Sequence, residues 1–198
     1  MDESKQSLFA DLVARVQRCT LCPRMETRRK VLGPQNGSLD SSVVFIAEAP
    51  GRLGADKFGI PLYGDQTGRN FEALISNAGL SRKSIFITNA VLCNPRTSNG
   101  NNDSPKLTEI RNCLVYLKEL LEIVRPKYVV PLGAAALASL NTIEPYGIKL
   151  SEGVGKVVQW RGYLLYPLYH PGPRAFVHRI RAQQEQDYRN LAWLLEEK

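Results

Sequence analysis

The sequence predicts an α/β fold, a sheet with helices on both of its faces. Three observations predict it. Short β-branched apolar runs alternate with amphipathic stretches along most of the chain, Gly, Pro and Ser bound those runs, and apolar residues in the intervening stretches recur at helical spacing. Residues 4 to 18 place Leu8, Leu12 and Val16 four apart with Phe9 and Val13 beside them, so an amphipathic helix delivers Cys19 and a loop carries Cys22. Val43 to Ile46 reads as the first strand. From Gly68 to Ala78, Phe71, Leu74, Ile75 and Ala78 share one helical face, and Gly79 is the stop. Ser84 to Leu92 opens as a strand and runs into Asn94 to Pro105, whose polar composition argues against regular structure. Ser104 is expected to cap the next helix, with Pro105 at its first position and Leu107 to Val124 as its body, ending before Pro126. Lys127 to Gly133 gives a third strand, and a helix starts immediately after it. Lys156 to Pro171 holds two strand-like runs around Arg161-Gly162, a hairpin whose second run ends at His170. Ala182 to Glu196 closes the chain as a helix.

A chain of 198 residues is expected to form one domain, residues 1–198, with a substantial core. Its 43% apolar content is ordinary for a globular protein, and no apolar run approaches the roughly 20 residues of a membrane helix. The first fifteen residues mix Asp2, Glu3, Lys5 and Asp11 with apolar positions, unlike a signal peptide, so the cytoplasm is the expected location and no membrane partner is expected. The net charge of +7 favours a polyanionic partner, because neutralised phosphates release counterions. Basic residues cluster in Pro23 to Lys30 and in Pro173 to Arg181. The second cluster reads better as a nucleic-acid contact, since Phe176 sits among its charges.

Four cysteines occur, Cys19, Cys22, Cys93 and Cys113. In a reducing compartment a C-x-x-C with two distant cysteines reads as a tetrathiolate metal site rather than a disulfide framework. Zinc and an iron-sulfur cluster are both allowed by this ligand set, and unlinked cysteines are the plain alternative.

In open α/β sheets ligands bind beyond the carboxyl ends of the strands. Glu48, Asn89 and His170 each stand just past a predicted strand. The loop Ala47 to Asp56, "AEAPGRLGAD", matches neither a Walker nor a dinucleotide glycine pattern, and Pro50 removes a backbone donor, so a phosphate cradle is rejected. Asn89 offers an acceptor and a donor, the complement of an imide N–H beside a carbonyl.

Taken together, "EAPG" with its Gly-Asp ending (Glu48 to Asp65), "ITNAVLCNP" (Ile87 to Pro95), "HPGPR" (His170 to Arg174) and the four cysteines resemble the uracil-DNA glycosylase superfamily. The likeness is to its iron-sulfur members, families 4 and 5. It implies a three-layer α/β/α fold with a short, mostly parallel central sheet. It also implies a structural [4Fe-4S] cluster on Cys19, Cys22, Cys93 and Cys113, with residues 1–40 contributing to the cluster site. Carried over by position, Asn89 recognises the uracil N3–H and O4 edge, His170 bonds the O2 side as charge grows there, and the backbone around Ala49 approaches the base. Glu48 stands where family 4 has a carboxylate, whereas the loop length and Asp65 resemble family 5, so either carboxylate could activate water, with Glu48 preferred. Leu62 replaces the usual stacking phenylalanine and Tyr63 is its aromatic neighbour, which would leave a looser pocket open to hypoxanthine or xanthine. Arg174, His178 and Arg179 are expected to hold DNA. The resemblance implies a DNA-repair hydrolase, a monomer at the nucleoid, excising uracil or another deaminated base and leaving an abasic site. A non-catalytic iron-sulfur nucleic-acid-binding protein and a redox or scaffold protein are the alternatives.

Overall fold

The computed structural model describes residues 3–197. Its strands are β1 (Val43–Ala47), β2 (Phe86–Asn89), β3 (Tyr128–Pro131), β4 (Val158–Trp160) and β5 (Tyr163–Leu165). Its α-helices are α1 (Glu3–Gln17), α2 (Ala55–Phe58), α3 (Gln66–Asn77), α4 (Leu107–Val124), α5 (Ala134–Asn141), α6 (Leu150–Gly153) and α7 (Arg181–Glu196). The strands form one sheet in the order β2-β1-β3-β5-β4, parallel except for the β4–β5 hairpin.

Alternation of side chains along each strand divides the core into two layers. Val44, Ile46, Phe86, Val129 and Leu165 face Phe9, Leu12 and Val16 of α1, Leu117, Leu120 and Leu121 of α4, and Leu137 of α5. Val43, Phe45, Ile87, Tyr128 and Val130 face Phe71, Leu74 and Ile75 of α3 and Tyr188 and Leu191 of α7. The result is the three-layer α/β/α arrangement. The strand order matters for function. From β1 the chain crosses through α3 to β2 on one side, then through α4 to β3 on the other, so β1 is the point at which the winding reverses. A crevice opens beyond the carboxyl end of such a strand.

Several local readings need correction. The helix expected from Gly68 begins two residues earlier, because the Asp65 carboxylate caps it by accepting from the Gly68 N–H at 2.8 Å. Ser104 does not cap α4. The cap is Lys106, whose N–H donates to Glu109 Oε2 at 2.7 Å, which leaves Pro105 outside the helix. The Asn94–Pro105 loop is partly ordered: Arg96 and Asn102 form an antiparallel bridge, and the Asp103 N–H donates to the Pro95 carbonyl at 3.0 Å. The second hairpin strand stops at Leu165, and only a bridge from Leu168 to Leu132 carries the pairing onward toward His170.

On the α3/α7 face, Phe71 packs edge-on against Phe45 with centroids 5.4 Å apart, and Tyr188 stacks on Phe45 at 6.0 Å. Replacing Phe71 with alanine should therefore cost about 3–5 kcal/mol in chemical denaturation. A loss below about 1 kcal/mol would show that this aromatic group does not hold the layer.

Candidate active site

The backbone ladder brings the strand ends together. Ala47 is in register with Asn89, and past the strands the Ala90 N–H donates to the Ala47 carbonyl at 2.8 Å and the Val91 N–H to the Glu48 carbonyl at 3.0 Å. On the other side of β1 the Leu132 N–H donates to Ile46, and the Gly133 N–H donates to Leu168 two residues before His170. Glu48, Asn89 and His170 accordingly line one cavity of about 170 Å³, together with Ala49, Leu62, Tyr63 and Asp65. That volume lies below the usual range of about 300–1,000 Å³ for drug-sized ligands.

Asn89 is buried, and its Nδ2 has no hydrogen-bond partner among the described residues. A buried donor left unpaired costs about 1–3 kcal/mol, so an amide in this state at a cavity wall is matched to an acceptor supplied from outside. Each of the lining carboxylates has a different setting. Burial pushes the Glu48 carboxyl above its ordinary pKa; the Ser104 side chain, a hydrogen-bond donor to it, opposes the rise, and the negative charge of Asp103 adds to it. Asp65 spends Oδ1 on capping α3, and Oδ2 lies against the opening loop. There Gly54 permits the approach, since a Cβ at that position would stand 2.6 Å from Asp65 Oδ2.

His170 is held tightly. A Cβ at Gly172 would come within 2.8 Å of its ring Cδ2. Burial lowers the imidazole pKa, opposed by the charge of Asp65 and by the Leu132 backbone. A ring N–H that donates into the pocket is supplied by the imidazolium or by one of the two neutral tautomers.

The base-wall residues separate. Leu62 is buried, with φ of 48°, whereas Tyr63 is 43% exposed and packs edge-on against Phe58 at 5.6 Å. Asn94, Asn102 and Asp103 also line the cavity, and sequence reading missed them. Asn94 Nδ2 donates to the Pro50 carbonyl at 2.6 Å and to Asn102 Oδ1 at 3.0 Å, which pins the opening loop to the polar one. Nothing in the composition of the 94–105 loop marked them, although Asn94 directly follows Cys93. On the basic segment, Arg174 and His178 are exposed. Arg179 is turned inward, its Nε and Nη2 meeting the two oxygens of buried Asp187 at 2.5 and 2.6 Å. Val177 between them is 85% exposed.

The four cysteines are free thiols that influence one another's ionisation: the charges of Cys19, Cys22 and Cys93 all act on Cys113. Burial pushes the Cys93 thiol up to about 11 and the Cys113 thiol to about 12. Polar donors meet the sulfurs. Asn112 Nδ2 lies 3.4 Å from Cys22 Sγ, the Tyr116 hydroxyl bonds Cys19, and the Leu92 backbone bonds Cys113. Among the described residues no three Cys, His, Asp or Glu side chains are gathered tightly enough to hold one ion.

Strand order, crevice and lining define an α/β protein with a small, polar-lined cavity beyond the carboxyl ends of its strands. A model of the "Uracil DNA glycosylase superfamily" matches residues 34–193. The chain is 33% identical over 198 residues to the type-4 uracil-DNA glycosylase of Saccharolobus solfataricus, covering 95% of this chain and 87% of that protein. It is 31% identical over 169 residues to the type-4 enzyme of Thermotoga maritima, covering 85% and 83%. It is 28% identical over 193 residues to the type-5 uracil-DNA glycosylase of Pyrobaculum aerophilum, covering 83% of each. The chain belongs to the uracil-DNA glycosylase superfamily.

An iron-sulfur cluster on these four sulfurs, as the resemblance implies, would give a brown protein with broad visible absorption and bound iron, and Cys113→Ala should lose both. A colourless preparation containing zinc would overturn that expectation.

Proposed function

We propose that the protein is a monofunctional glycosylase that extrudes uracil from DNA and hydrolyses its N-glycosidic bond, leaving an abasic site. The observation that carries this reading is buried Asn89, its Nδ2 unpartnered among the described residues, on the wall of a cavity of about 170 Å³ that Glu48 and His170 also line. Unstacking costs a few kcal/mol and is cheapest at a mismatched base, which supplies part of the selectivity. Arg174 and His178, both exposed, would contact the strand, and exposed Val177 would fill the vacated stack. The whole chain acts as one domain and as a monomer at the nucleoid. Cys19, Cys22, Cys93 and Cys113 would hold a [4Fe-4S] cluster, which when bound joins the first helix, the segment after β2 and α4 into one rigid layer.

Bond breaking leaves positive charge on the sugar and negative charge on the base. Asn89 donates to O4, and His170 as imidazolium donates to O2, both gaining strength as the base becomes an anion. Glu48 takes the proton of the attacking water. Asp65 is the less available carboxylate, because one of its oxygens is engaged in capping α3. Leu62 is small for a stacking wall, which supports extending the substrate range to hypoxanthine or xanthine.

Oligonucleotides carrying uracil, hypoxanthine, xanthine or thymine opposite each base, followed by alkali cleavage, test activity and range together. A protein that binds uracil-containing DNA but yields no alkali-labile site would be the non-catalytic alternative. Asn89→Ala and His170→Ala should each lose about 100- to 1000-fold in single-turnover rate with DNA binding retained. Near-wild-type excision by both would remove the site assignment. Glu48→Gln should lose far more than Asp65→Asn.

The pH profile should be a narrow bell. Glu48 works deprotonated and its pKa is raised, so activity falls with acid earlier than for an ordinary carboxylate. His170 works protonated and its pKa is lowered, so activity falls with alkali below the ordinary imidazole range. Glu48→Gln should abolish the acid limb and His170→Ala the alkaline one; a flat profile in the native protein contradicts both roles.

A further inference from the structure

We infer that Arg24 is a positioning residue for Glu48: its guanidinium ties the cysteine loop to Asp103, Ser104 and Glu109 and so fixes the pocket wall that faces the carboxylate. The inference rests on the reading of Glu48 as the base. Arg24 sits in the short turn Pro23–Met25 directly after Cys22, a turn anchored by buried Met25. From there its Nη1 meets Asp103 Oδ2 at 2.7 Å, its Nη2 donates to the Ser104 carbonyl at 3.0 Å, and Nε and Nη2 grip Glu109 at 2.5 and 2.7 Å. Glu109 in turn accepts from the Lys106 N–H and closes the first turn of α4. One fork therefore sets the cysteine turn, the end of the polar loop and the start of α4 in a single geometry. A lysine, a single point of charge, cannot make this set of bonds.

The consequence for Glu48 is electrostatic. The cavity wall contains three carboxylates, Glu48, Asp65 and Asp103, and no lysine or arginine. The groups facing Glu48 are Asp103 and the Ser104 hydroxyl from the polar loop, with Asp65 before α3 and His170 after β5 on the other walls. Arg24 stands behind Asp103 and offsets its charge, while its bond to the Ser104 carbonyl holds the residue whose hydroxyl serves Glu48. Ser104 is thereby drawn away from capping α4. The cysteine layer, remote from the reacting atoms, acquires a route to the base through one side chain.

The test compares single-turnover uracil release across pH in Arg24→Gln, Asp103→Asn and the double variant, with iron content and thermal midpoint measured for each. Arg24→Gln should move the acid limb to higher pH and slow excision on that limb by up to about fivefold, the worth of an exposed ion pair. Asp103→Asn should move the limb the other way. Adding Arg24→Gln to Asp103→Asn should raise the limb by less than Arg24→Gln does in the native background, because only the Ser104 contact is then left to lose. An unmoved limb in Arg24→Gln with iron intact, or an equal shift in both backgrounds, overturns the inference. Should Arg24→Gln lose its iron, Ser104→Ala keeps the ion pairs, and its acid limb should also rise; an unmoved limb there overturns the inference. Carbon-13 titration of Glu48, assigned with Glu48→Gln, reads the same shifts without any turnover. If the native protein releases no base and Glu48 still titrates in this pattern, the glycosylase reading fails and the positioning by Arg24 stands.

Discussion

Parallel pairing of β1 on both of its edges is the constraint from which the rest of the molecule follows. With β2 on one side and β3 on the other, every residue of β1 is buried, and the crossovers from β1 to β2 and from β2 to β3 run in opposite directions across the sheet. Right-handed crossovers in opposite directions place α3 on one face and α4 on the other. Both apolar layers and the crevice at the winding reversal come from that single arrangement. Because Ala47 and Asn89 are locked in register, the amide of Asn89 and the carboxylate of Glu48 are set by the ladder rather than by loop packing. Function carried by rigid strand ends needs little reorganisation when a ligand enters.

Electrostatics divide three carboxylates of one small cavity among three tasks. Asp65 is held by the N-terminus of α3, Asp103 by Arg24, and Glu48 is left with burial and one side-chain donor. Asp103 is stabilised as an anion, and Glu48 is the one whose affinity for a proton rises. Environment rather than residue type thus separates a cap, an ion-pair partner and a proposed base, as with other carboxylates sharing a site. The same logic governs His170, where burial lowers the imidazole pKa against the opposing charge of Asp65.

On the opposite side of the sheet from α3, the sulfurs occupy a seam between the end of α1, the segment after β2 and the body of α4. Two of the four are buried, and donors from Asn112, Tyr116 and Leu92 approach three of them. The seam and the base cavity share the polar loop, so order in one bears on order in the other.

What the sequence by itself determined is what depends on periodicity and on neighbours along the chain. Alternating β-branched runs and four-residue apolar spacing were enough for the sheet with helices on two faces, and strand ends were enough to single out Glu48, Asn89 and His170. Where an ion pair or hydrogen bond joins distant segments, sequence reading failed. Ser104 looks like a helix cap until Arg24, 80 residues away, takes its carbonyl, and Arg179 looks like a phosphate contact until Asp187 claims both of its inner nitrogens. Tyr63 looks like the stacking ring until Phe58 is seen to engage it at the rim, with Leu62 buried in its stead. Composition does not specify which of several equivalent charges or rings meet in space, because each side chain has many partners of equal chemistry. Only the packing of the layers brings one within reach.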